Sequence, residues 1–226
     1  MPPPENPLVV AIDVSDLERA ESLARAVGPA AGMVKVGLEL FSAHGPASVA
    51  RIRKIAPVFL DLKLHDIPTT VERAARNAAR LGVAMLTVHA LGGEAMVAAA
   101  VRGVRQGSEE AGHAPPGVLA VTVLSSLSGE SLASPASLAF EAKAAGAAGT
   151  VVSGEDVAVV REVTGEEFCL VVPGIRPAGS NGHDQLRVLT PEEALDAGAD
   201  YLVIGRPITG SIDPAATAKS ILATIR

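Results

Sequence analysis

Four charged residues stand out by type and spacing: Lys35, Asp61, Lys63 and Asp66. Asp61 and Lys63 lie two apart in Phe59-Leu60-Asp61-Leu62-Lys63-Leu64. An extended strand would put both on one face and the three leucines on the other. Lys35 sits between Val34 and Val36, so it too is a charge inside an apolar run, costly to bury unless paired. An amine flanked by carboxylates favours its ammonium form. It is then suited to donate a proton rather than to act as a Schiff-base nucleophile, which needs the neutral amine. The competing reading is a structural ion network. Asp61 and Asp66 could also bind Mg²⁺, but the interleaved Lys63 would compete for the same oxygens.

A second theme is anion binding. Gly205-Arg206 ends an apolar run, where a glycine lets a backbone N–H approach an anion and an arginine can fork two hydrogen bonds to it. Arg176 follows Pro173-Gly174-Ile175, and Gln185 lies in the Gly/Ser/Asn/Pro-rich stretch 174–191, long enough to suggest a functional loop. A surface ion pair is the plainer reading of Arg206. Asp13, Ser125 and Ser153 close other apolar runs. The remaining candidates are weaker. His89 reads as a satisfied core histidine, and His65 is expected to face away from Asp66. His44, His113 and His183 have no metal-ligand spacing, and Ser126, Ser128 and Ser131 suit turns. No Gly-x-Ser-x-Gly nucleophile elbow is present.

Positioning these groups requires a scaffold. Eight short, β-branched-rich runs recur: Leu8–Val14, Met33–Leu40, Val58–Leu64, Met85–Ala90, Val118–Leu124, Gly149–Gly154, Phe168–Ile175 and Tyr201–Arg206. Their near-continuous apolarity is that of strands buried on both faces of a parallel sheet. Ala-, Glu- and Arg-rich segments of helical spacing alternate with them. Start signals are Ser15-Asp16-Leu17-Glu18, read as a capping box, Thr69-Thr70-Val71-Glu72, Thr190-Pro191-Glu192-Glu193 and Asp213-Pro214, with stops near Gly28 and Gly198. Eight strand–helix units in this length predict a single-domain (β/α)8 barrel over 1–226, with chemistry at the C-terminal strand ends. A doubly wound open sheet is the runner-up, though no Gly-x-Gly-x-x-Gly follows the first strand. The segment 102–117, polar and Gly/Pro-containing, is expected to be a surface loop.

Composition narrows the function further. The 226 residues are 48% hydrophobic but only 2% aromatic, so aliphatic side chains must fill the core and base-stacking platforms are disfavoured. With 19 basic against 25 acidic residues the net charge is −6, which disfavours binding to nucleic acid or other extended polyanions. The single Cys169 excludes an intramolecular disulfide framework and a multi-cysteine metal site. No signal-peptide pattern or membrane-length apolar run is visible, so the expectation is a cytoplasmic protein with no membrane partner.

The run Phe59-Leu60-Asp61-Leu62-Lys63-Leu64-His65-Asp66-Ile67-Pro68-Thr69-Thr70-Val71 closely resembles the signature of the orotidine 5′-phosphate decarboxylases, in their bacterial branch. So do Ala11-Ile12-Asp13-Val14, the run 34–41, Val121-Thr122-Val123-Leu124-Ser125-Ser126, Pro173-Gly174-Ile175-Arg176-Pro177, Asp184-Gln185 and Val203-Ile204-Gly205-Arg206-Pro207. The resemblance implies a homodimer of (β/α)8 barrels that converts orotidine 5′-monophosphate to uridine 5′-monophosphate and CO₂ without cofactor or metal, the last step of pyrimidine nucleotide synthesis. It assigns Lys63 to protonate C6 and places Asp61 near the substrate carboxylate. Asp66 would complete the charge network from the partner subunit, with Ile67 and Thr70 also reaching across. Asp13 and Lys35 would hold the ribose, Lys35 being part of the network as well, and Ser125 would contact the pyrimidine. Arg176, Gln185, Gly205 and Arg206 would bind phosphate. Thr69, where the family often has Asn, and Ser125, where bacterial members often have Thr, depart from the pattern and are expected to modulate activity, not abolish it. Two rivals stay open: a Mg²⁺-dependent relative sharing Asp-x-Lys-x-x-Asp, such as a hexulose-phosphate synthase or a ketogulonate-phosphate decarboxylase, and a non-catalytic barrel that binds nucleotide phosphate.

Overall fold

Eight parallel strands pair in chain order, and the last returns to the first to close a barrel. They are β1 (Leu8–Ile12), β2 (Met33–Gly37), β3 (Val58–Leu64), β4 (Met85–His89), β5 (Gly117–Val121), β6 (Gly149–Val151), β7 (Cys169–Pro173) and β8 (Tyr201–Ile204). Ten helices surround them: α1 (Leu17–Val27), α2 (Leu38–His44), α3 (Pro46–Ile52), α4 (Pro68–Arg80), α5 (Gly93–Ala111), α6 (Pro135–Ala144), α7 (Val157–Thr164), α8 (Pro191–Asp196), α9 (Arg206–Thr209) and α10 (Pro214–Thr224). The computed structural model describes residues 4–123, 134–176 and 189–225; the helices and strands named here are those of the described residues. The barrel predicted from eight apolar runs is the fold observed. Several strands end earlier than predicted. Leu38, for instance, opens α2 rather than extending β2.

Period-two alternation splits the core. Val9, Ala11, Met33, Phe59, Met85, Leu119, Cys169, Val171, Tyr201 and Val203 point inward and fill the barrel. Their neighbours Leu8, Val10, Val34, Val36, Leu60, Leu86 and Leu202 point outward and pack with the helices. Both faces of each strand are therefore buried, which is why the runs read as apolar throughout.

Local signals set most helix starts, with two corrections. The predicted start at Thr190 is observed, where Thr190 and Glu193 form a capping box for α8, and Asp213 caps α10 through Ala216 N. At α1, however, the cap is Asp16, which accepts from Arg19 N, so Ser15 and Glu18 form no capping box. Helix α4 starts at Pro68 without a side-chain cap, so Thr69 and Thr70 lie inside its first turn. The larger correction is segment 102–117, most of which belongs to the 19-residue α5. Its glycines mark close packing, not a loop. A Cβ at Gly103 would lie 2.2 Å from Glu72 O, and one at Gly107 would lie 2.1 Å from Arg76 O, so α5 meets α4 through a stripe that only glycine permits.

Candidate active site

The inward charges gather at the C-terminal end of β1–β3. Alternation alone does not place them. Strand β3 pairs with β4 as Phe59↔Met85 and Leu60↔Leu86, then resumes at Leu64↔Val88. Three residues of β3, Asp61, Leu62 and Lys63, thus face the single residue Thr87, a bulge that re-aims the strand beside a site. Lys63 has φ +49°, the one non-glycine residue in the left-handed region among those described, at a cost of about 1–2 kcal/mol. Leu62 and Leu64 still pack against the outer core. The result is the predicted juxtaposition reached by a less regular route: Lys63 Nζ lies 2.8 Å from both Asp61 Oδ1 and Oδ2.

From there the network extends across the barrel mouth. Lys35 Nζ is 3.5 Å from Asp61 Oδ2 and donates to Asp13 Oδ1 at 2.9 Å. The side chains of Lys35 and Asp61 are only 11% and 12% exposed, while that of Asp13 is 53% exposed, so the network runs from solvent into the barrel. Burial pushes the Asp61 carboxyl up. The Lys35 and Lys63 ammonium groups, with hydrogen bonds from Lys63 and Thr87, outweigh it and hold the acid below the usual carboxylate range. Gly37 was not singled out from the sequence, yet a Cβ there would come within 2.8 Å of Asp13 Oδ1 and 3.0 Å of Lys35 Nζ. A glycine two residues after a lysine on an inward strand face is the signal that marks it. Thr87, fully buried, had no comparable signal, because its importance comes from the bulge opposite.

These charges form one wall of a cavity of about 180 Å³. Lys35, Asp61 and Lys63 line one side, and Val121, Val123, Val151, Pro173 and Val203 line the other. Ser153 also borders it. The other predicted residues that are described occupy the rim. Asp66, Ile67 and Thr70 are exposed at the β3–α4 junction. The Asp66 carboxylate accepts from Ile67 N and makes no ion pair with another described residue. Arg176 follows β7, and Gly205 and Arg206 follow β8, where Arg206 is exposed. Ser125 and Gln185 lie outside the described residues, as do Ser126, Ser128, Ser131, His183 and most of stretch 174–191. His65 is exposed and stacks on half-buried His89 with ring centroids 5.3 Å apart. Burial, then His65 and Lys63, lower the His89 pKa, keeping that ring neutral near pH 7. The Cys169 thiol, inside the barrel, is pushed up to about 12 by burial, which leaves it unreactive.

The profile of the orotidine 5′-phosphate decarboxylase / HUMPS family matches residues 6–221. The chain belongs to this family. It is 51% identical over 231 residues to an orotidine 5′-phosphate decarboxylase of Anaeromyxobacter sp. (strain K), covering 97% of this chain and 98% of that one. It is 48% identical over 230 residues to the enzyme of that name from Moorella thermoacetica, covering 96% and 91%. Among solved structures, orotidine 5′-phosphate decarboxylase from Lactobacillus acidophilus superposes with a TM-score of 0.86 at 36% identity, covering 98% of this chain and all of that one. The Asp61–Lys63 pair of this family member stands at the C-terminal barrel mouth, where (β/α)8 enzymes carry their chemistry. No helix among the described residues is long and apolar enough to cross a membrane.

Proposed function

We propose that this chain decarboxylates orotidine 5′-monophosphate to uridine 5′-monophosphate, with Lys63 as the proton donor. The observation that carries this reading is the Lys63 amine on the cavity wall. Both of its hydrogen bonds go to one carboxylate, and its third N–H is uncommitted among the described residues. In the reaction the C6–carboxylate bond breaks, CO₂ leaves, and the electron pair stays on C6. A fixed ammonium stabilises that charge as it develops and then transfers its proton to C6. Lys63 recovers a proton from solvent. Asp61 holds the amine and crowds the substrate carboxylate. At ~4 Å and an effective dielectric of about 20 that repulsion is of order 4 kcal/mol. Binding of the remote phosphate, by Arg176, Gln185, Gly205 and Arg206, supplies what is needed to hold the substrate there. Lys35 and Asp13 bind the ribose, and Ser125 contacts the ring.

The donor set also supports chemistry without a metal. Both Asp61 oxygens already accept from Lys63, and Oδ1 accepts from Thr87 as well. A divalent cation would have to displace an ammonium to reach them. Loss of orotidylate absorbance on mixing with purified protein, unchanged by EDTA, is the expected result. Activity abolished by EDTA and restored by Mg²⁺ would favour the enediolate chemistry of the Mg²⁺-dependent relatives.

The reading includes a homodimer in which Asp66, Ile67 and Thr70 complete the partner's site. Leu38, Ile67 and Leu91, within three residues of the C-terminal ends of the adjacent strands β2, β3 and β4, are 54%, 66% and 52% exposed. Three large apolar side chains on consecutive rim segments suit an interface. Mixing equal amounts of Lys63→Ala and Asp66→Asn chains tests it. Each hybrid dimer regains one intact site, so random exchange returns about a quarter of wild-type activity, whereas independent sites return none.

A further inference from the structure

We propose that Thr87 is a positioning residue whose hydroxyl pins the β3 bulge and so sets the place of the Lys63 amine. The inference rests on the proposed role of Lys63. Thr87 is the single β4 residue opposite Asp61, Leu62 and Lys63. With three residues facing one, the regular ladder cannot satisfy the backbone there. The Thr87 hydroxyl takes its place, accepting from Lys63 N at 2.8 Å and donating to Asp61 Oδ1 at 2.9 Å. The direction of both bonds is forced. An amide N–H can only donate and an ionised carboxylate can only accept, so the hydroxyl must do one of each. One buried oxygen thereby ties the strained backbone of Lys63 to the acid that grips its side chain. The two ends of the Lys63 side chain are held from the same point: its Cα through the amide, and its Nζ through Asp61.

The strain at φ +49° gives the pin its purpose. A non-glycine residue persists in that region only when its surroundings impose it. Without the hydroxyl, Lys63 N loses its acceptor in a part-buried position, and the strand gains by relaxing toward ordinary extended geometry. That relaxation would swing the side chain off the cavity wall. A displacement of about 1 Å at a reacting group is enough for about a 100-fold loss of rate. Phosphate and ribose binding, made by other strands, would be left alone.

Three variants assayed with orotidine 5′-monophosphate test this: Thr87→Val, which keeps shape and removes the hydroxyl, Thr87→Ala, which does so with less crowding should Val disturb folding, and Thr87→Ser, which restores it. The expected result is a fall of about 100-fold in kcat for a folded Val or Ala variant, with KM within about threefold, and recovery to within about threefold of wild type in Ser. A smaller fall in kcat, an equal change in KM, or failure of Ser to recover activity overturns the proposal. Lys63→Ala runs alongside. If that variant keeps its turnover, the reading of Lys63 itself fails; if it is inactive while Thr87→Val is not, only the positioning role is lost.

Discussion

At the N-terminal end of the barrel Arg161 commits all five of its N–H groups. Nε and Nη2 donate to Gly198 O, Nη1 to Gly165 O and Phe168 O, and Nη2 also to Asp200 Oδ2 at 2.7 Å. Asp200 accepts in addition from Leu170 N at 2.7 Å. The αβ turns before β7 and β8 are stapled by this pair, whose side chains are 11% and 18% exposed. At the other end the pairing is incomplete. Lys63 gives both of its bonds to one acid, and Lys35 reaches Asp61 only at 3.5 Å. Both clusters are ionic and mostly shielded from water. A saturated one fixes chain turns, while an unsaturated one keeps charge and donors available to something that arrives later. Stability belongs to the lower face of such barrels and chemistry to the upper.

If that division is right, mutations at the two ends should trade effects, and the largest is at Lys63. Lys63→Ala should lower kcat by about 10⁴-fold or more. Uridine 5′-monophosphate should still bind, and the melting temperature should hardly change, because Asp61 keeps Lys35 as a partner. Near-normal turnover in steady-state assays would remove the distinction. Next comes Arg161→Met, which leaves Asp200 buried without its cation. Loss of about 3–5 kcal/mol is expected, seen as a Tm lower by roughly 10 °C, with kcat per folded molecule unchanged. A catalytic defect at full stability would place function at the wrong end.

Two glycines sharpen the contrast at smaller scale. A Cβ at Gly37 meets only the ends of flexible side chains, Asp13 Oδ1 at 2.8 Å and Lys35 Nζ at 3.0 Å. Gly37→Ala should therefore cost under about 1 kcal/mol of stability yet lower kcat/KM about tenfold by parting the Asp13–Lys35 pair, proposed above to bind the ribose. At Gly149 the Cβ would meet backbone, Cys169 O at 2.3 Å. Gly149→Ala should cost about 1–3 kcal/mol and leave activity per folded molecule intact. Urea titrations and initial rates on both variants separate these outcomes; equal patterns would erase the contrast.

The upper cluster was far more legible in the sequence than the lower one. Charges at Lys35, Asp61 and Lys63 interrupt apolar runs, and the cost of burying them announces a site. The eight runs themselves announce the barrel. What could not be read was geometry made between strands. Thr87 is an ordinary strand threonine until three residues oppose it, and Arg161 is an ordinary helix arginine until three carbonyls and Asp200 converge on it. Gly103 and Gly107 misled for a related reason. Glycine signals a turn by its own backbone freedom and a helix contact by its neighbour's closeness, and only the second operates in α5. Asp66 stays apart from the network within one chain.

The smallest expected effect is on the acid limb of stability. Asp61 is held below its ordinary value of 3.8: burial opposes ionisation, but the two lysines and the donated hydrogen bonds outweigh it. Above pH 3.8 the acid is ionised in both folded and unfolded chains, and its contribution is fully present. As pH falls below 3.8 the unfolded chain takes up the proton first, and the contribution disappears as pH passes the lower native value. His89 acts earlier. Burial, with His65 and Lys63, lowers it from 6.5, so its cost begins as pH falls through 6.5, when only the unfolded ring is charged. Urea midpoints between about pH 2.5 and 7 should therefore show two limbs. Asp61→Asn should make the acid limb shallower below pH 3.8, with Glu21, Glu110 and Glu193, also held below their ordinary values by their partners, supplying the rest, and leave the one near 6.5 in place. An unchanged lower limb would mean that pairing in the barrel mouth adds nothing to the folded state, and that the upper cluster is held together entirely by the scaffold around it.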